Sequence, residues 1–169
     1  MKLIYLLISF LALLPLKGAS QDKDLRNAAK EMITSARTCA LITIDKEGCP
    51  RVRAMETLIP ENDFIIWFGT NPKSRKVEQI KNNPNVTLYY LDMDESGYVM
   101  VYGKAEIIDD KKAKETHWKE EWKAFYPNKS QDYILIKVTP AWMEVVSNSR
   151  GIYGDSVTWE VPRVVFGSK

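Results

Sequence analysis

Thr70-Asn71-Pro72-Lys73-Ser74-Arg75-Lys76 follows an apolar, aromatic run at 64–68 and opens a polar stretch that reaches the Asn83-Pro84 break. The run reads as a strand, being aromatic and β-branched. Asn71 before Pro72 predicts an N-cap and a first helical residue, because proline's missing N–H costs nothing there. Lys73, Arg75 and Lys76 then fall in a helical first turn, whose unpaired N–H groups already carry partial positive charge. A bound anion reverses that conflict, and a phosphate suits the position. A solvated basic helix start is the plainer alternative.

Around this strand–turn–helix unit the chain is mostly strand-like. Apolar or alternating runs predict strands at 38–44, 51–59, 86–91, 98–108 and 133–146, with a last one at 156–166. Pro140 inside the long run implies a bulge or an edge position. Helical spacing predicts helices at 22–36 and 111–125, the second with Trp118, Trp122 and Phe125 as an apolar stripe suited to core packing. Short strands in hairpin order with inserted helices predict a mainly β fold, an antiparallel, closed or nearly closed barrel. Closure removes the edges such strands would otherwise expose.

Residues 1–20 have the order of a secretory leader: Lys2, an apolar run to Leu16, then Lys17 and the small residues Gly18, Ala19 and Ser20. Cleavage after Ser20 leaves one domain, 21–169, and an exported, periplasmic or secreted protein. An uncleaved N-terminal anchor is the alternative, although the run is shorter than the roughly 20 apolar residues of a comfortable span. The leader holds Lys2 and Lys17 and no acid, so the chain's 24 basic and 22 acidic residues balance once it is removed. A neutral domain is not drawn generally to nucleic acid, and local clusters must hold any anion. Cys39 and Cys49 start facing strands of a hairpin whose turn is Asp45-Lys46-Glu47-Gly48. That puts them about 16 Å apart, too far for a bridge between them.

Side-chain alternation sets Arg51, Arg53 and Met55 on one strand face. Two arginines beside a core are costly without an anion between them, unless that face is simply in water. His117, the only histidine, lies on a charged stretch and reads as a surface residue. No zinc cluster, Walker loop or dinucleotide fingerprint is present. A phosphate cradle with little acid–base machinery fits a cofactor that brings its own reactivity.

Thr70-Asn71, Ser74-Arg75-Lys76, Gln79-Ile80, Asn83-Pro84, Val99-Met100-Val101 and Gly103-Lys104-Ala105-Glu106 occur at a spacing that resembles the flavin-mononucleotide-binding split barrels related to pyridoxamine 5′-phosphate oxidase, nearest the general stress protein subgroup. The resemblance implies an antiparallel split β-barrel with short flanking helices, a homodimer, and flavin mononucleotide (FMN) at the subunit interface. It implies contacts from Arg51, Val52, Arg53, Ala54 and Met55, from Gly69 and Thr70, and from Ser74, Arg75 and Lys76, with Trp67 or Trp159 near the ring. Whether Arg51 or Arg53 is the main phosphate ligand stays open. An FMN-dependent oxidoreductase with an unknown small-molecule or electron-transfer substrate follows. A flavin carrier without turnover, or the same barrel with a deazaflavin or haem, are the alternatives. The oxidase's substrate lysine falls on Glu56 or Leu58, which argues against vitamin B6 phosphate oxidation.

Overall fold

The computed structural model describes residues 16–94 and 96–167, with side chains from residue 21 onward. Residues 1–15 of the predicted leader therefore lie outside the described residues, and 16–20 form the start of the first helix. Helix α1 (Leu16–Ala36) leads into strands β1 (Thr38–Ile44), β2 (Pro50–Glu56) and β3 (Ile66–Thr70), then helix α2 (Arg75–Asn82). Strands β4 (Asn85–Leu91) and β5 (Gly97–Ile108), helix α3 (Lys111–Thr116), a 3-10 turn (Glu120–Ala124) and a single-turn helix α4 (Lys129–Asp132) follow. Strands β6 (Ile134–Ser147) and β7 (Arg163–Val165) close the chain. Pairing is antiparallel throughout, in the order β2-β1-β4-β5-β6-β3, with β7 on β6.

β2 and β3 end this order and face each other without a ladder, so the barrel is split along one seam. Leu58, just past β2, donates its N–H to the Trp67 carbonyl at 3.1 Å and ties the seam at one point. Inside, alternate residues pack as one core that includes Leu41, Ile66, Phe68, Leu88, Val101 and Val138. Leu25, Ala29, Met32 and Ile33 of α1, at helical spacing, cover part of it. A second apolar cluster lies outside the barrel wall: Trp67, Trp122, Tyr133 and Leu135.

The hairpin at Asp45–Gly48 forms as expected, with Gly48 at φ +79° and the Asp45 carboxylate accepting the Cys49 N–H at 2.8 Å. Cys39 pairs opposite Met55 at one end of β1, while Cys49 lies in the turn at the other. Among the described residues both cysteines are free thiols. Pro140 does sit at a bulge: Gly103 pairs with Pro140 and Tyr102 with Trp142, which leaves Ala141 unpaired in that register.

Several boundaries differ from expectation. β2 stops at Glu56 rather than 59, because the Thr57 N–H turns to the Arg37 carbonyl. β3 starts later and runs through Gly69 and Thr70, since Phe64 takes φ +58° in a turn closed on Glu61. The helix expected at 111–125 breaks after Thr116. Burial of Trp122, with Trp118 edge-on to it and to Tyr133, outweighs a continuous helix and leaves Phe125 exposed. The last strand shrinks to Arg163–Val165, because Asp155 folds residues 155–158 into a turn.

Candidate functional site

Asn71 and Pro72 do not start the helix. Asn71 Oδ1 accepts the Lys73 N–H at 2.9 Å and its carbonyl accepts the Ser74 N–H at 3.0 Å, so they form a turn with Pro72 at its second position. α2 begins at Arg75 with Ser74 as N-cap. Lys73 therefore leaves the first turn and is exposed, while Arg75 and Lys76 become its first and second residues. The Ser74 hydroxyl makes no cap hydrogen bond; it lies 3.1 Å from the Thr70 hydroxyl, which also accepts from Lys76 Nζ at 3.1 Å.

The two arginines of β2 part company. Arg51 is exposed and its Nε donates to Asp45 of the hairpin turn. Arg53 is half-buried and reaches across β1: Nη1 donates to Thr43 Oγ1 at 2.7 Å and the Leu41 carbonyl at 3.3 Å, and Nη2 to Gln79 Oε1 at 2.9 Å. Thr43 is buried and donates to the same Gln79 oxygen at 2.7 Å, so one amide of α2 fixes both groups. Sequence reasoning assigned no role to Thr43 or Gln79. Their signals were a hydroxyl inside an apolar strand and a polar residue three positions after Lys76 on the same helix face.

Arg53, Arg75 and Lys76 form no ion pair with a carboxylate among the described residues. Burial, then the charge of Arg75, holds the Arg53 guanidinium below its ordinary pKa. Burial, then the charge of Arg53, does the same to the Lys76 ammonium. The cations thus oppose one another, and no carboxylate among the described residues pairs with them.

A cleft of about 200 Å³ opens at the seam beside this cluster. Ala54, Met55 and Glu56 form one wall and Gly69, Thr70 and Lys76 another; Trp122, Phe125 and Tyr126 form the far end. Glu56 accepts Trp122 Nε1 at 2.7 Å and Lys119 Nζ at 2.7 Å. Partial burial pushes its carboxyl up, but these two donors outweigh that and hold it below the ordinary glutamate range. A side chain at Gly69 would meet Trp122 at 2.7 Å and Tyr133 at 2.9 Å, so glycine is needed where β3 passes the aromatic cluster.

Neither tryptophan named for the ring lines this cleft. Trp67 points away from the barrel core, donates to Glu61 at 2.9 Å and stacks on His117 at 4.2 Å. Trp159 is exposed, at φ +62°, just beyond the 155–158 turn. Val52 is also outside the cleft, on the open side of β2. His117 is not the surface residue expected. Its ring is largely covered by Trp67, and Nδ1 faces the Ala113 carbonyl at 2.9 Å. No group of three or more metal-ligating side chains occurs among the described residues. None of the described helices is long and apolar enough to cross a membrane.

The chain is thus a split antiparallel β-barrel whose seam carries a cationic cluster paired with no carboxylate among the described residues. The sequence model of the family described as "Pyridoxamine 5'-phosphate oxidase like" matches residues 24–155, and the chain belongs to that family. It is 25% identical over 123 residues to General stress protein 26 of Bacillus subtilis, covering 70% of this chain and 86% of that protein. It is 31% identical over 87 residues to the pyridoxine/pyridoxamine 5′-phosphate oxidase of Klebsiella pneumoniae, covering 52% of this chain and 39% of that one. The crystal structure of General Stress Protein 26 from Bacillus anthracis superposes with a TM-score of 0.63 at 27% identity, over 72% of this chain and 93% of that one.

Proposed function

We propose that the protein binds FMN at the seam and acts as an FMN-dependent oxidoreductase, as a homodimer and after export. The observation that carries this is that Arg53, hydrogen-bonded to Gln79 of α2, and Arg75 and Lys76, which open the same helix, pair with no carboxylate among the described residues. Two guanidinium groups, an ammonium and the hydroxyls of Thr70 and Ser74 match a phosphate monoester, which offers several acceptor oxygens and close to two negative charges. The donor set therefore fits the phosphate end of the flavin.

Pairing of two copies is supported by size and by the edge. The cleft of about 200 Å³ is smaller than the roughly 300 Å³ lower bound for ligand pockets. β2 leaves Val52 64% exposed on an open edge that a second copy would cover. Bound flavin would supply the redox chemistry. This chain's residues would do the rest: Arg53, Arg75 and Lys76 hold the phosphate, the Thr43–Gln79 pair fixes Arg53, and Trp122 with Tyr126 restricts water at the far end.

The cleft contains no histidine or cysteine, which keeps a carrier without turnover as a second reading. Haem is disfavoured because the ring of His117 is already stacked and hydrogen-bonded. The test is the visible absorption spectrum of residues 21–169 after FMN addition and desalting. Flavin peaks retained at about one per subunit are expected, and a colourless protein refutes the proposal. A nicotinamide donor added next separates enzyme from carrier, since only an enzyme bleaches the bound flavin.

A further inference from the structure

A groove of about 520 Å³ runs between the C-terminal end of α1 and the loop after β2. That volume lies within the range of small-molecule sites. Its apolar wall is Leu58 and Ile59, the second 69% exposed, with Ile33 buried beneath them in the core. Its charged groups are Arg37, Lys119 and Glu56. Lys119 and Glu56 neutralise each other at 2.7 Å. Arg37 forms no ion pair among the described residues, so the groove carries one uncompensated positive charge beside an apolar wall.

Arg37 is also held in an uncommon way. It is the residue between α1 and β1, with φ +57°, a left-handed position that glycine occupies more cheaply. Its carbonyl accepts the Thr57 N–H at 3.1 Å, which fastens the helix end to the loop that forms the opposite wall. The groove is thereby braced across its width.

We propose that this groove is a binding site for an organic anion with an apolar body, such as an aryl carboxylate. The carboxylate pairs with Arg37 and the hydrocarbon covers Leu58 and Ile59. Glu56 lines both this groove and the seam cleft, so a molecule bound here abuts the cleft. Binding in this groove does not depend on the flavin reading above.

The test is calorimetric titration of the full chain with 2-naphthoate and with its neutral isostere 2-naphthamide. Naphthoate should bind at least tenfold more tightly. Arg37→Gln should abolish that preference without changing the thermal midpoint, since glutamine keeps the same backbone geometry. Arg37→Lys should keep most of it. A double variant, Arg75→Ala with Lys76→Ala, should retain naphthoate binding while losing FMN. Equal binding of acid and amide marks a merely apolar surface and overturns the proposal. So does a preference that survives Arg37→Gln, or one lost in the double variant, which places the anion in the cationic cluster. Failure of FMN binding with the naphthoate preference intact would refute the flavin reading and leave this one standing.

Discussion

Replacing Lys76 by methionine removes one charge while keeping an unbranched side chain one heavy atom shorter. Among the described residues Lys76 Nζ has one hydrogen-bond partner, the Thr70 hydroxyl at 3.1 Å, and it feels the charge of Arg53. A charge-assisted hydrogen bond to a phosphate contributes about 1.5–3 kcal/mol, so FMN affinity should fall roughly 10- to 150-fold. The flavin-free protein should not weaken. Lys76 is only half-buried and solvent screens the repulsion, so a gain of a few tenths of a kcal/mol is expected. The gain has a pH signature. With its pKa below the usual 10.5, the folded lysine binds protons less readily than the unfolded one, and wild-type stability rises with pH across that interval. The advantage of the variant is therefore full below the folded pKa and disappears towards pH 10.5. FMN binding should also weaken below about pH 6, where the phosphate dianion takes up a proton and loses one negative charge. Flavin fluorescence titration and urea unfolding without flavin measure the two effects. Unchanged affinity together with lower stability would show that Lys76 is a structural residue and not part of an anion site.

The arginines give a second comparison: Arg53→Ala should weaken FMN binding roughly tenfold or more, while Arg51→Ala, whose partner is Asp45, should change it less than threefold by the same titration; the reverse order would assign the phosphate to Arg51. Gly69→Ala should destabilise the fold by about 1–3 kcal/mol in urea unfolding, because its methyl meets the rings of Trp122 and Tyr133. Burial pushes the Cys39 thiol up to about 12, whereas Cys49 is exposed. Ellman's reagent should thus titrate one thiol in the native protein and both in denaturant; rapid reaction of both would contradict the packing around Cys39.

Much of the barrel was legible because strands at 38–44, 86–91, 98–108 and 133–146 carry continuous or alternating apolar residues, and Pro140 announced its own bulge. What failed was local chemistry overruled at longer range. Asn71-Pro72 has the composition of a helix start, but the asparagine amide closed a turn first and moved the start to Arg75. The stretch 111–125 has helical spacing, but its tryptophans are placed by Tyr133 and Glu56, distant in sequence. The cationic cluster was visible as Ser74-Arg75-Lys76. The difference between Arg51 and Arg53 was not, because alternation puts both on one face. Only the hairpin turn that brings Asp45 beside Arg51, and the packing of α2 that brings Gln79 to Arg53, separates them.

The seam between β2 and β3 has a mechanical consequence. β2 and β3 are each bonded along one side only, but β2 is mostly exposed where β3 is mostly buried, so β2 can detach at lower cost and its backbone amides should exchange with heavy water before those of β3 and the inner strands. Arg53 sits on that loose strand, whereas Arg75 and Lys76 sit on a helix anchored by the buried Val77 and Ile80. An anion gripped by both would work as a rivet across the opening. Loading would then slow exchange in 50–56 far more than in the inner strands, turning the least secured part of the barrel into one of its better secured parts.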